Sequence, residues 1–192
     1  MDKYKEVDLK KVKTYSLLKR KSKVDLTGFA KVSKKNAKFR EFYDNLPDIL
    51  VGKEFREVVD ALVLAKKKDK MIILMMGAHV IKCGLSPLII DLMKRDILKA
   101  VAINGAGMIH DTEIALCGMT SEEVSEGIKD GSFGMARETA EFINSALEKG
   151  LAKGYGAGRS LGNAIIRHGL AYKNLSILAN AFNLGVPVTV HI

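Results

Sequence analysis

The sequence has no tryptophan, two cysteines and three prolines among its 192 residues. The cysteines, Cys83 and Cys117, are too few and too far apart to predict a disulfide framework or a zinc knuckle. The longest apolar run, MIILMMGAHVI, is shorter than a membrane span, and the N-terminal segment lacks the apolar stretch of a signal peptide. These absences predict a cytoplasmic protein without a membrane partner.

The basic residues are unevenly distributed along the chain. Residues 1–70 contain 20 Lys/Arg and 11 Asp/Glu, whereas residues 71–192 contain 11 of each, so the first third carries the whole net charge of +9. We predict a basic N-terminal arm over residues 1–38 and a folded domain over residues 39–192. A basic arm can bind a polyanion, but few aromatic residues accompany the lysines, which disfavours nucleic acid as a partner. The alternative is an arm that docks on an acidic neighbouring subunit.

Short apolar runs and amphipathic segments alternate over the rest of the chain. The runs predict buried strands, and the segments between them predict helices. The predicted strands are 71–76, 99–104 and 186–192, and the main predicted helices are 86–95, 134–149, 161–167 and 175–183. This alternation predicts an α/β fold, namely a Rossmann-like three-layer α/β/α domain with a mostly parallel sheet and helices on both faces.

Two of the predicted strands are followed by segments that start with small residues, Gly77 and Ala78 in the first and Gly105, Ala106 and Gly107 in the second. GAHVIKCG follows Met76, and NGAGMIHD begins at Asn104. In parallel α/β sheets, ligands bind at the carboxyl ends of the strands, and glycine lets a phosphate approach the backbone. These segments therefore indicate a nucleotide site, although the usual G-x-G-x-x-G fingerprint with a later acidic residue is absent. The alternative is a pair of turns that require glycine for a positive φ.

The second segment also contains ionisable residues. His110, Asp111 and Glu113 could form an acid–base group because histidine titrates near neutral pH, or His110 could be structural. Asp111 is expected to cap the helix that follows. No ligand pair has a recognisable metal spacing, so we predict no metal site. The apolar neighbours of Cys83 and Cys117 predict that both thiols are buried.

The segments GAHVIKCGLSPLIIDLMKRDILKAVAINGAGMIHD and NLSILANAFNLGVPVTVHI resemble the deoxyhypusine synthase family, specifically its divergent members. The resemblance spans roughly Asp48 to Ile192. It implies a Rossmann-like domain that binds NAD and assembles into a homo-oligomer, a tetramer of paired dimers with sites between subunits. Enzymes of this family oxidise spermidine and transfer an aminobutyl group, through an imine on a lysine, to a lysine of a translation factor precursor.

The resemblance places both NAD loops of the family on the glycine-rich segments. The first loop falls on residues 77–84, and its candidate cofactor-binding residues here are Gly77, Ala78, His79, Val80, Ile81 and Lys82. The second falls on Asn104, Gly105, Ala106 and Gly107. The acidic pair that holds the polyamine in the family is replaced by Ile109 and His110, and Lys82 adds a positive charge. We therefore expect an amine or related small substrate other than spermidine.

The sequence stops at VPVTVHI, where the family continues into an aspartate-bearing NAD loop and, later, the lysine that forms the imine. We therefore predict a domain that is incomplete at its C-terminus. The expected function is that of an NAD-binding, deoxyhypusine synthase-like protein with transferase or dehydrogenase chemistry, in which His110 transfers a proton near the nicotinamide. The alternative is a catalytically silent nucleotide-binding or assembly module. Whether this chain is itself an enzyme is left open.

Overall fold

A computed structural model describes Tyr4 and residues 6–192, which divide into two units at Val63 and Leu64. The boundary lies inside one helix, α2 (Leu50–Lys67). The predicted division into an arm of residues 1–38 and a domain of residues 39–192 stays a prediction.

The first unit contains little regular structure before α1 (Phe39–Asn45). Three single-turn 3-10 helices precede it, Leu9–Lys11, Leu17–Lys19 and Leu26–Gly28. Arg56 on α2 stabilises the C-terminal end of α1. Its Nη2 donates to the carbonyl oxygens of Tyr43, Asp44 and Leu46 at 2.9, 3.2 and 2.8 Å. Since the last carbonyls of a helix have no donors within the helix, one guanidinium replaces the missing donors.

The second unit is built on a parallel sheet of three strands in the order β1-β2-β3. The strands are β1 (Ile73–Met76), β2 (Ala100–Asn104) and β3 (Val188–His191). Val101 lies opposite Leu74 on one side and Val188 on the other. The predicted α/β class and the parallel pairing are confirmed, and each strand lies within its predicted range.

The helices of this unit follow the predicted order with shifted ends. After α2 they are α3 (His79–Lys82), α4 (Ser86–Lys94), α5 (Gly105–Cys117), α6 (Val124–Asp130), α7 (Arg137–Leu151), α8 (Ala157–Arg167) and α9 (Ile177–Leu184). The largest correction concerns residues 104–107, which were expected to form a loop. Asn104 ends β2 and caps α5, so Gly105, Ala106 and Gly107 form the first helical turn.

One face of the sheet is covered by helices and the other is exposed. Val101 and Ile103 on the covered face are 1% and 2% exposed, whereas Ile73 and Met75 on the opposite face are 56% and 77% exposed. A sheet that advances in one direction with right-handed crossovers receives both connections on the same face. Among the described residues, no second helical layer covers Ile73 and Met75, so the predicted three-layer arrangement is not confirmed and stays a prediction.

The core of the second unit lies between the sheet and its helices. Leu161 and Ile165 of α8 and Leu178 of α9 are almost fully buried there. Glycines allow close packing. A Cβ at Gly158 would collide with the carbonyl oxygen of Val188, and one at Gly162 would collide with that of Leu178. These contacts bring α8 against β3 and α9.

Candidate functional site

The two glycine-rich segments meet at the carboxyl edge of the sheet. Met76 and Ile103 are register partners, and each is followed at once by its segment. A Cβ at Gly77 would lie 3.7 Å from Nδ2 of Asn104, and one at Gly105 would lie 3.9 Å from Cγ1 of Ile192. The structure therefore brings the ends of all three strands to one place.

Neither Gly77 nor Gly105 is required by the fold of the chain itself. Both lack a positive φ, and a Cβ at either position would make only ordinary van der Waals contacts. Gly107 differs because its Cβ would lie 3.3 Å from both Oδ1 of Asn104 and Cβ of Ile103, so local packing explains its glycine. It also lacks a positive φ. The alternative of turns that need a positive φ is therefore wrong for these three glycines, whereas Gly84, at the end of the first segment, has a φ of 76° and fits it.

The first turn of α5 presents backbone donors at this edge. The first amide groups of an α-helix have no acceptors within the helix and carry partial positive charge. Oδ1 of Asn104 accepts from the amide of Gly107 at 2.8 Å. The amides of Gly105 and Ala106 have no side-chain partner among the described residues, and helix N-termini of this kind can bind anionic groups.

The residues of the first segment divide into buried and exposed ones. Ile81 is buried in the hydrophobic core, and Val80 packs against that core. The carbonyl of Ala78 accepts from the amides of Ile81 and Lys82, both at 3.0 Å. The side chains of His79 and Lys82 are exposed. Of the six candidate residues, Ile81 therefore serves the core, whereas His79 and Lys82 can reach a ligand.

His110 belongs to a polar cluster on α5 and the segment after it. Its Nδ1 lies 2.6 Å from Oγ1 of Thr120, which donates to Oε2 of Glu113 at 2.5 Å. The same carboxylate oxygen is 3.5 Å from Nδ1 of His110. Oγ1 of Thr139 donates to the other oxygen of Glu113 at 3.3 Å. His110 also follows Ala106 at i+4, so both lie on one face of α5.

Asp111 caps a helix, but it is not the helix expected from the sequence. It lies inside α5, is fully buried and accepts from Ser176 Oγ at 2.6 Å and from the amides of Ile177 and Leu178 at 2.7 and 3.1 Å. These donors form the N-terminus of α9. Burial of the carboxyl raises its pKa from 3.8 to about 6, although the three hydrogen bonds act in the opposite direction. Its role is structural.

The side-chain environments correct one further expectation. Cys83 and Cys117 are exposed, so the predicted burial of both thiols is wrong. Cys83 follows the short helix α3, and Cys117 is the last residue of α5, where the neighbouring segments do not cover it. Within the part of the chain that the structure describes, no three His, Cys, Asp or Glu side chains are grouped closely enough to bind a metal ion. Within the same residues, no helix has the length and apolar character needed to cross a bilayer.

Of the predicted group of His110, Asp111 and Glu113, the structure brings His110 and Glu113 together and places Asp111 elsewhere. The spacing of His110 and Glu113, three positions apart, puts both on one helix face. Sequence reasoning missed Thr120 and Thr139, which line an open cleft of about 530 Å³ beside α5 and α7 together with Glu113. Thr120 could not be found in this way because it lies beyond the end of α5.

Comparisons with known proteins do not identify a family. No protein-family model matches the chain, and no curated protein sequence matches it closely enough to indicate a relative. The geometry of the sheet edge and of the His110 cluster is therefore the basis for proposing a function.

Proposed function

We propose that this chain binds NAD across the carboxyl edge of the sheet and contributes His110 to proton transfer beside it. The observation that supports this proposal most strongly is the pair Gly77 and Gly105. The fold has room for a side chain at both positions and uses neither for a positive φ. A glycine that the protein's own packing does not require is explained by a ligand that approaches the backbone there.

The residues at this edge fit the phosphates of a dinucleotide. The amides of Gly105 and Ala106 lie at the positive end of α5, and Lys82 provides an exposed cation on the neighbouring segment. NAD supplies a hydride acceptor when it is bound. The chain itself would hold the phosphates and accept a proton on His110. Gly77 and Gly105 would leave the space beside the backbone free for the dinucleotide.

We further propose chemistry of the deoxyhypusine synthase type, as a transferase or dehydrogenase, in a cytoplasmic homo-oligomer. The substrate proposed is an amine or related small molecule other than spermidine. His79 and Lys82 are exposed at the sheet edge and introduce no carboxylate that could bind a dication. A polyamine would therefore lack charge-assisted hydrogen bonds from these residues.

Calorimetric titration with NAD tests the proposal. We expect saturable binding to the chain and at least about tenfold weaker binding to Gly105→Ala, which corresponds to about 1.4 kcal/mol. The added methyl group would occupy the space of the approaching phosphate but would not disturb the fold. Alanine also has a higher helix propensity than glycine, so the variant should unfold at an equal or higher temperature.

Gly156→Ala is the matched control. Gly156 is the N-cap of α8, has a negative φ and has no heavy atom within 4 Å of its added Cβ. We expect this variant to bind NAD as the unmodified chain does. No heat of binding at any NAD concentration up to the millimolar range, or equal affinity for Gly105→Ala, would refute the proposed site.

A second candidate, a catalytically silent nucleotide-binding or assembly module, is favoured by the exposed face of the sheet. Parallel sheets are normally covered on both faces, yet Ile73 and Met75 are more than half exposed. A further layer on this face would complete the Rossmann-like three-layer arrangement. Sedimentation of Met75→Lys tests the idea, with Ile128→Lys on the exposed side of α6 as the control. Dissociation of an oligomer by the first substitution alone would support it.

A further inference from the structure

The hydrogen atoms in the His110 cluster can be assigned by counting donors and acceptors. A glutamate carboxylate at neutral pH accepts hydrogen bonds and donates none, whereas a threonine hydroxyl has one hydrogen to donate. The contact of 2.5 Å between Thr120 Oγ1 and Glu113 Oε2 therefore uses the only hydrogen of that hydroxyl. The remaining contact, 2.6 Å between Thr120 Oγ1 and His110 Nδ1, then requires a hydrogen on Nδ1.

The other ring nitrogen is free for chemistry. Nε2 of His110 has no hydrogen-bonding partner among the described residues, and it is not one of their buried atoms that lack a partner. It therefore keeps access to solvent. In neutral imidazole one nitrogen carries the hydrogen and the other has a lone pair. A hydrogen held on Nδ1 leaves the lone pair on Nε2.

We propose that Thr120 and Glu113 are positioning residues that fix His110 as the Nδ1–H tautomer and leave Nε2 as the base. This inference rests on the proposed role of His110 in proton transfer. When Nε2 takes up a proton, the carboxylate of Glu113, 3.5 Å from Nδ1, stabilises the resulting imidazolium. The arrangement follows the general logic by which a carboxylate orients a histidine, with a hydroxyl group inserted between them.

The segment that carries Thr120 is shaped to place it there. Gly118 ends α5 with a φ of 75°, and the ring of Tyr172 leaves no space for a Cβ at this position. Ser121, directly after Thr120, has a φ of 73°, which is a strained conformation for a residue other than glycine. Thr139 Oγ1 donates to the second oxygen of Glu113 and so orients the carboxylate. The backbone conformations at Gly118 and Ser121 therefore hold Thr120 in position, and the hydrogen bond from Thr139 holds the carboxylate that Thr120 contacts.

Long-range proton–nitrogen correlation NMR of the full chain tests the assignment. We expect Nδ1 of His110 at the shift of a protonated ring nitrogen and Nε2 at that of an unprotonated one, at a pH where the ring is neutral. Thr120→Val removes the hydroxyl at nearly constant shape and should move the ratio of tautomers towards Nε2–H, by about tenfold for one lost hydrogen bond. Thr120→Ser keeps the hydroxyl and should restore the original ratio.

Thr139→Val is the matched control because Thr139 contacts Glu113 but not His110. Because its effect on His110 is indirect, it should change the ratio of tautomers much less than Thr120→Val does. If Thr120→Val fails to fold, Glu113→Gln provides the second test and should also weaken the preference for Nδ1–H. The proposal is overturned by an Nε2–H tautomer in the unmodified chain, by an unchanged ratio in the folded Thr120→Val variant, or by an equal change in Thr139→Val. Since this readout requires no NAD, a failure of NAD binding is a separate result that refutes the proposed function and not the tautomer.

Discussion

Replacing Asp111 by asparagine removes the one titratable group that is fully buried between α5 and α9. In the folded chain this carboxyl has a pKa of about 6, raised from 3.8 by burial, and it accepts from Ser176, Ile177 and Leu178. The unfolded chain releases the proton near pH 4, and the folded chain releases it near pH 6. Between these values the folded state binds more protons, so its free energy of unfolding falls as the pH rises.

The size of this effect follows from the two pKa values. The difference between 3.8 and about 6, at about 1.36 kcal/mol for each unit of pKa, corresponds to ~3 kcal/mol. Asp111→Asn keeps the shape of the side chain but cannot ionise, and its amide nitrogen cannot accept a hydrogen bond, whereas both oxygens of the protonated carboxyl can. We therefore expect the variant to be less stable at about pH 4, by ~1–3 kcal/mol. The unfolded chain is already partly ionised at pH 4, so the difference should move in favour of the variant by ~2 kcal/mol between about pH 4 and pH 7.

Urea unfolding followed by circular dichroism, at four values between about pH 4 and pH 7, measures this difference directly. Every other titrating group contributes equally to both proteins, so subtraction isolates Asp111. A deficit that stays constant over this range would show that the carboxyl titrates alike in the folded and unfolded chains. A deficit that grows with pH would show that the hydrogen bonds outweigh the burial. Either result would refute the reasoning.

Two further predictions concern packing. The guanidinium of Arg56 donates to three carbonyls, and in Arg56→Lys a single ammonium group takes its place. We therefore expect the free energy of unfolding to fall by ~1–2 kcal/mol, measured by thermal unfolding. An unchanged melting temperature would contradict the capping role. Gly158→Ala places a methyl group against the carbonyl of Val188, so the urea midpoint should fall by the equivalent of ~1–3 kcal/mol, whereas Gly156→Ala should change it little. Equal midpoints for the two alanine variants would contradict the close contact of α8 with β3.

The strands could be predicted because their apolar runs are bounded by glycine and charge. The number of helical layers could not be predicted from the sequence. Ile73 and Met75 are as apolar as Leu74 and Met76, so the sequence shows no alternation to reveal that one face is uncovered. The order β1-β2-β3 determines the face on which the connections lie, and strand order is not encoded in any local pattern.

The position of the candidate site at the sheet edge could be predicted, but most of its side-chain contacts could not. Parallel strands end at the same edge, so residues after Met76 and Ile103 had to meet. Contacts over long sequence separations were missed. Asp111 binds the start of α9 more than 60 residues away, and rules for helix caps consider only neighbouring positions. Thr120 reaches His110 because Gly118 turns the chain back at the end of α5, which spacing alone does not reveal.

A crystal structure of the chain with NAD would show whether the carboxyl edge of the sheet holds the dinucleotide. We expect the diphosphate against the amides of Gly105 and Ala106, with the backbone of Gly77 beside it. A dinucleotide bound elsewhere on the protein, or crystals in which these two bends are filled by neighbouring side chains of the same molecule at saturating NAD, would contradict this expectation.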